Sequence, residues 1–112
     1  MFQKIYPSKL RDTVLSSLDE LKAIDPVIIN VKKLSSFTDY MMITNGTSNR
    51  HIQSIGDKVL EDLKDKKIKP LGVEGKGTEE WMLIDLGDVV LHIMSADTRR
   101  FYDLEGLWDP DL

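Results

Sequence analysis

Two histidines and 19 acidic residues are the side chains of this 112-residue sequence best suited to acid–base chemistry. A serine hydrolase would need His51 or His92 as its base, but the Gly-x-Ser-x-Gly turn that presents a nucleophilic serine does not occur. His51 falls in the first turn of a predicted helix, and His92 falls within a predicted strand. We therefore predict no catalytic histidine.

Metal-assisted nucleotidyl transfer is the more serious enzymatic alternative, because it needs paired carboxylates near one strand to hold metal ions. The segment 35–41 (SSFTDYM) is similar to the Ser-Asp-x-Asp strand of nucleotidyltransferases, but Met41 stands where the second carboxylate would be. One carboxylate cannot hold two magnesium ions, so we interpret Asp39 as a polar group at the start of a strand. We predict that the protein is not an enzyme.

A glycine-rich segment at 72–77 (GVEGKG) is the remaining candidate for binding a small molecule. Its three glycines do not follow the G-x-G-x-x-G order and do not lie between a strand and a helix, so they indicate a loop. The chain has no cysteine, which excludes thiolate nucleophiles and thiolate metal sites. Two histidines are too few for a His-rich site. We predict no cofactor and no metal.

Length and charge bound the remaining functions. A chain of 112 residues predicts a single domain, 1–112, with a core at about 8–108. The net charge of −4 argues against general phosphate binding, and the lysines at 64–69 alternate with acidic residues. We predict no sequence-specific binding of nucleic acid, although contact with a phosphate backbone remains open. The sequence shows no targeting signal or membrane span, so we expect a cytoplasmic protein with no membrane partner.

Hydrophobic spacing predicts three helices and five strands in the order α-β-β-α-β-β-β-α. Ser8 is the expected N-cap of the first helix, Thr47 or Ser48 that of the second, and Ser95 precedes the third, which Gly106 ends. The fold class is α/β, as a mixed sheet covered by helices. The predicted helices are 8–23, 48–67 and from 96, and the predicted strands are 27–31, 40–44, 70–73, 80–85 and 88–94.

The last two strands form a hairpin with one apolar face and one mixed face. If Leu86-Gly87 is the turn, Asp85 lies opposite Asp88 and Trp81 lies opposite His92. The face expected to lie under the helices carries Met82, Ile84, Val89, Leu91 and Ile93. The other face carries Trp81, Leu83, Val90, His92 and Met94, with the two aspartates at its rim.

Two interpretations of this second face remain open. Helices on both sides of the sheet would make Trp81 an ordinary core residue. Three helices are few for two faces, however, and an uncovered apolar patch with an acidic rim is typical of a surface that binds a basic partner. Asp85 and Asp88 could instead simply accept hydrogen bonds from turn amides.

Several segments together resemble the ribosomal silencing factor family, also called Iojap-like. They span nearly the whole chain, from about Leu10 to Trp108. The resemblance implies a fold similar to nucleotidyltransferases without their catalysis. It implies binding to the large ribosomal subunit through ribosomal protein fourteen, which blocks joining of the small subunit and represses translation. The segments are 38–41 (TDYM), 46–51 (GTSNRH), 71–75 (LGVEG), 80–81 (EW), 85–90 (DLGDVV) with His92, 101–105 (FYDLE) and 107–108 (LW). Contact with ribosomal RNA is left open.

The resemblance and the hairpin indicate the same surface. Trp81 is the expected centre, and Asn49, Arg50 and His51 are expected to organise a helix start instead. The same apolar face could pair two free copies as a homodimer. The alternatives are a subunit assembly factor without a silencing role and, more distantly, a nucleotide-binding enzyme. The predicted partner-binding residues are Glu74, Trp81, Leu83, Asp85, Leu86, Asp88, His92, Met94 and Tyr102.

Overall fold

A computed structural model describes residues 5–77 and 80–108. The two ends of the predicted domain range 1–112 therefore lie outside the described residues. Helices and strands follow one another in the predicted order, and one additional short helix comes at the end. The elements are α1 (Pro7–Glu20), β1 (Ile24–Asn30), β2 (Tyr40–Gly46), α2 (Asn49–Asp65), β3 (Gly72–Glu74), β4 (Trp81–Asp85), β5 (Val89–Ser95), α3 (Ala96–Tyr102) and α4 (Leu104–Trp108).

The five strands form one mixed sheet in the order β1-β2-β5-β4-β3. The central pair, β2 and β5, is parallel, and every other neighbouring pair is antiparallel. Parallel strands need a long crossover, which α2, β3 and β4 supply here. This confirms the predicted α/β class with a five-stranded mixed sheet in a single domain.

Helices α1 and α2 cover one face of the sheet, which we call the helix-side face. Their apolar stripes meet the predicted apolar side of the hairpin in one continuous core. The side chains that meet there are almost completely buried, including Leu18, Ile55 and Leu91 at 0% exposure. The described residues of this core are Leu10, Val14, Leu18, Tyr40, Met42, Ile52, Ile55, Val59, Leu63, Met82, Ile84, Val89, Leu91 and Ile93.

Polar contacts fix α1 against α2 beside this core. The Ser17 hydroxyl donates to Asp62 Oδ2 at 2.6 Å, and this hydrogen bond lowers the pKa of the Asp62 carboxyl. At the other end, His51 Nδ1 accepts from the Thr47 amide at 2.9 Å, and Nε2 lies 2.7 Å from the Leu21 carbonyl oxygen. The expected role of His51 in organising a helix start is confirmed.

The opposite face of the sheet, which we call the second face, is partly covered by the end of the chain. Leu104 and Trp108 of α4 pack against it. Of the two interpretations left open, each holds for part of this face, because the chain supplies a fourth helix that covers some of it and leaves Trp81 and Leu83 half-buried. The buried residues beneath are Ile29, Val31, Met41, Ile43 and Met94.

Backbone geometry explains this extra helix and two other corrections. Asp103 is left-handed, with φ 46°, and it breaks the C-terminal segment where a single helix was expected. Gly106 does not end a helix, since α4 runs through it. Helix α1 begins at Pro7 rather than after a Ser8 cap, because proline's fixed φ and missing N–H suit the first helical position. The predicted cap at Ser48 is confirmed, because its side chain accepts from the His51 amide, and Ser95 caps α3 by accepting from the Thr98 amide.

Candidate partner-binding surface

The hairpin of β4 and β5 has a register two residues away from the predicted one. Trp81 lies opposite Met94, and Asp85 lies opposite Val90, instead of His92 and Asp88. The turn residues are Gly87 and Asp88, because Gly87 takes a positive φ of 84° that glycine adopts without strain. A shift by an even number of residues keeps each side chain on its predicted face.

The register removes the expected like-charge pair. The Asp85 carboxylate accepts from the Gly87 amide at 2.9 Å, which confirms the alternative that this aspartate braces the turn. Asp88 is exposed, and its carbonyl oxygen accepts from the Asp39 and Tyr40 amides at 2.9 and 3.0 Å. The two carboxylates therefore occupy separate positions on the rim.

An aromatic cluster lies at the other end of the hairpin on the second face. The Trp81 indole N–H donates to His92 Nδ1 at 2.9 Å. The Trp81 ring lies 4.9 Å from the Tyr102 ring, centroid to centroid, and Phe101 meets Tyr102 edge-on at 5.0 Å. Trp81 is therefore held in one orientation from two sides while part of its surface remains accessible.

His92 supports this cluster from below. Its side chain is buried, and burial lowers its pKa to about 4. Since Nδ1 accepts the indole hydrogen bond, the neutral ring carries its proton on Nε2. His92 is suited to position Trp81 and poorly suited to act as a base facing solvent.

The predicted partner-binding residues fall into four groups. Glu74, Asp88 and Tyr102 are exposed, while Trp81, Leu83 and Asp85 are half-buried. His92 and Met94 are buried within the chain. Leu86 packs against the helix-side core, away from the others. The accessible members, together with the half-buried neighbour Val90, form what we call the docking face: Glu74, Trp81, Leu83, Asp85, Val90 and Tyr102, with Asp88 at its edge.

A glycine loop forms one wall of the docking face, and sequence reasoning missed the residue that holds it. The Gln53 side chain of α2 accepts from the Gly77 amide at 2.9 Å and donates to the Gly75 carbonyl at 3.3 Å. Gly75 has a φ of 78°, and a side chain there would collide with the Trp81 carbonyl oxygen. The loop thus packs directly on Trp81 and borders a shallow, open depression of about 460 Å³.

A second missed residue, Arg99, fastens the C-terminal helices to the sheet. Its guanidinium donates to Asn45 Oδ1 and to the Asp25 carbonyl, both at 2.8 Å, and pairs with Glu105 at 3.1 Å. Asn45 and Asp25 lie 54 and 74 positions away from Arg99 along the chain, and Glu105 lies just beyond the break at Asp103. Only Glu105 is close enough in sequence for the pair with Arg99 to be predicted.

Within residues 5–77 and 80–108, no three histidine, aspartate or glutamate side chains are grouped closely enough to hold a metal ion. Among the same residues, no helix is both long and apolar enough to cross a membrane. Met41, at the position of the missing carboxylate, is buried in the core of the second face.

Comparison with known proteins decides the family. The profile described as "Ribosomal silencing factor during starvation" matches residues 6–111. The chain belongs to this family. It is 39% identical over 99 residues to the ribosomal silencing factor of Haemophilus influenzae, covering 88% of this chain and 97% of that protein. The resemblance seen in the sequence is confirmed, and with it the assignment as a ribosomal silencing factor.

Two further relatives extend the comparison. A crystal structure from Chromobacterium violaceum superposes with a TM-score of 0.90 at 32% identity, over 93% of this chain and 87% of that one. A mouse protein named for mitochondrial assembly of the ribosomal large subunit is 35% identical over 100 residues. That match covers 87% of this chain and 44% of the mouse protein.

Proposed function

We propose that this protein silences translation by binding the large ribosomal subunit through ribosomal protein fourteen, at a surface that the small subunit needs. The docking face is its contact, with the Trp81 indole at the centre and the carboxylates at the rim. The observation that carries the proposal is the fixed but accessible Trp81, held by His92 and Tyr102. Bound there, a folded domain excludes the small subunit by its volume alone.

The chemistry of the docking face favours a basic partner. Glu74 lies opposite Leu83, and Asp85 and Asp88 lie at the turn, so carboxylates border the apolar surface of Leu83 and Trp81 on two sides. Carboxylates at a rim steer a cationic protein into register, while a fixed aromatic ring loses little conformational freedom on binding. A basic ribosomal protein has the complementary charge.

Binding of this kind needs no catalytic group. Asp39 has Met41 beside it where a nucleotidyltransferase would carry a second carboxylate. The neutral His92 ring uses its Nδ1 to accept the hydrogen bond from Trp81. We therefore propose a non-enzymatic role, in keeping with a regulatory factor.

Co-sedimentation with purified large subunits, followed by addition of small subunits, tests this function. The unaltered protein should pellet with large subunits and reduce the yield of joined ribosomes. Trp81→Ala should weaken binding by about 2 kcal/mol or more, close to thirtyfold, because it removes the central aromatic contact. Tyr6→Ala is the matched control, since Tyr6 is 77% exposed at the start of α1, outside the docking face. Equal binding by both variants would refute the assignment of this face.

Large-subunit assembly is the second candidate, favoured by the name of the mouse relative. An assembly factor would bind large subunits without changing the yield of joined ribosomes, and its loss would leave immature subunits to accumulate. The same sedimentation experiment therefore separates the two roles.

Homodimerisation of the free protein stays a separate prediction, as does its cytoplasmic location. Burial of Met94 and Ile43 beneath α4 leaves less apolar area for self-pairing than the sequence suggested. Light scattering over a dilution series tests it, and a monomer at every concentration would refute it.

A further inference from the structure

The loop between β1 and β2, residues 31–39, presents an unusual combination of side chains, and we call it the basic loop. Phe37 is 89% exposed, more than any other large apolar side chain among the described residues. Lys32 and Lys33 are exposed in the preceding turn. A phenylalanine so far from any core gains nothing by burial within its own chain.

Hydrogen bonds fix the shape of this loop. The Val31 amide donates to the Asp39 carbonyl at 2.9 Å and closes its base. The Ser35 hydroxyl oxygen accepts from the Phe37 and Thr38 amides at 3.1 and 3.3 Å. Phe37 therefore projects from a hydrogen-bonded turn, and its exposure is a feature of the folded structure.

Positive charge collects at the same place, although the whole chain is acidic. Lys32 and Lys33 form no salt bridge with any residue in the described part of the chain. Arg11 of α1 and Lys32 both contact the Tyr40 ring, at 4.9 and 5.1 Å from its centroid. Arg11 is paired with Asp12, so the two lysines supply the unneutralised charge.

We propose that the basic loop binds ribosomal RNA, with the two lysines on backbone phosphates and the Phe37 ring stacked on an unpaired base. Cations beside an exposed aromatic ring are the combination that single-stranded RNA requires. One strand of RNA satisfies both features, since its phosphates pair with the lysines while an unpaired base offers the Phe37 ring a flat partner.

The position of the loop links it to the proposed function, on which this inference rests. The Asp39 and Tyr40 amides both donate to the carbonyl oxygen of Asp88, in the turn at the edge of the docking face. A partner held by the docking face and an RNA strand held by the loop would therefore be neighbours. On a ribosome, protein and RNA surfaces adjoin in this way.

Salt dependence of large-subunit binding tests the lysines. Replacing both, as Lys32→Gln with Lys33→Gln, should weaken binding and flatten the plot of log affinity against log salt by about 1.5, since each phosphate contact contributes roughly 0.7–0.9 to the slope. The matched control removes two charges at the opposite end of the sheet, as Lys22→Gln with Arg50→Gln, and should keep the original slope. An unchanged slope in the loop variant would overturn the proposal.

Two substitutions at Phe37 test stacking. Phe37→Ala should weaken binding to large subunits about tenfold. Phe37→Leu keeps apolar area but removes the flat ring, so it should weaken binding nearly as much. Leucine that binds as well as phenylalanine would mean an apolar protein contact and would refute stacking. Thermal unfolding should be the same for all three proteins, because the side chain is exposed.

Binding to isolated ribosomal protein fourteen separates this inference from the proposed function. Trp81→Ala should weaken binding both to that protein and to whole subunits, whereas the loop variants should weaken binding only to whole subunits. If the loop variants lose affinity for the isolated protein equally, the loop contacts protein and the inference fails while the function stands. If the unaltered chain binds neither, both fail.

Discussion

The two faces of the sheet are built in different ways. The helix-side face is closed by apolar stripes at regular helical spacing, and its central side chains are fully buried. The second face combines a smaller buried apolar cluster with single polar contacts, among them Trp81 with His92 and Arg99 with Asn45, and part of it stays accessible. The first face is stabilised by packing, whereas the second also holds a few partly accessible side chains in fixed positions. Substitutions in the two faces should therefore differ in what they disturb.

The largest effect on stability is expected on the helix-side face. Ile55→Ala should lower the free energy of unfolding by about 2–5 kcal/mol, because it opens a cavity among fully buried neighbours. Urea denaturation measures this change. Leu83→Ala, on the half-buried docking face, should cost less stability but weaken binding to large subunits. Equal stability losses would remove the distinction between the faces.

The next effect is a pH dependence that originates on the second face. The pKa of His92 is lowered to about 4, so the native state binds fewer protons than the unfolded state between pH 4 and 6.5. The stability that comes from keeping His92 neutral is fully present above pH 6.5 and is lost as the pH falls towards 4. By then the free energy of unfolding should have dropped by roughly 3 kcal/mol.

Comparison with His92→Gln isolates the part of this pH dependence that comes from His92. The variant lacks the titrating ring, so its stability should fall less between pH 6.5 and 4, whereas the Asp62 carboxylate is common to both proteins. Unfolding curves measured at half-unit pH steps would show the difference. Parallel curves for the two proteins would mean that His92 does not titrate in this range.

The smallest effect is expected in the glycine loop. Gly75→Ala should cost about 1–2 kcal/mol, since alanine is strained at a positive φ and its side chain would meet the Trp81 backbone. Gly72→Ala is the control, because a side chain there has nothing within 4 Å and its φ is not positive. The Gly75 variant should also weaken large-subunit binding by moving Trp81. The same losses in both variants would mean that glycine content alone matters.

Sequence patterns predicted the helix-side face well and the second face only in part. Apolar residues recur every fourth position in α1, and those at 10, 14 and 18 are all buried in the core, as this spacing predicts. The two faces of the hairpin were predicted correctly despite the wrong register, because a shift of two residues leaves every side chain on the same face. The register itself was wrong because Leu86-Gly87 and Gly87-Asp88 both place glycine in a two-residue turn, and only the backbone angles distinguish them.

The contacts that hold the docking face in place have no recognisable pattern in the sequence. Gln53 reaches the Gly75 loop across 22 positions, and Arg99 reaches Asn45 across 54, so neither has a local pattern. The additional helix α4 depends on the left-handed Asp103, a conformation that aspartate adopts only in certain tertiary settings. The basic loop was overlooked because its charge is small beside the acidic total, and Arg11 joins it only through the folded position of Tyr40.

The central strand pair has a consequence for the order in which this protein matures during its own synthesis. Strand β2 finds its parallel neighbour β5 only when residues 89–95 have been made, and Arg99 follows later still. Contacts this distant in sequence form late. An unfinished chain therefore cannot display the docking face. Truncation before residue 89 would remove the parallel neighbour of β2 and, with it, His92, the hydrogen-bond acceptor that fixes Trp81.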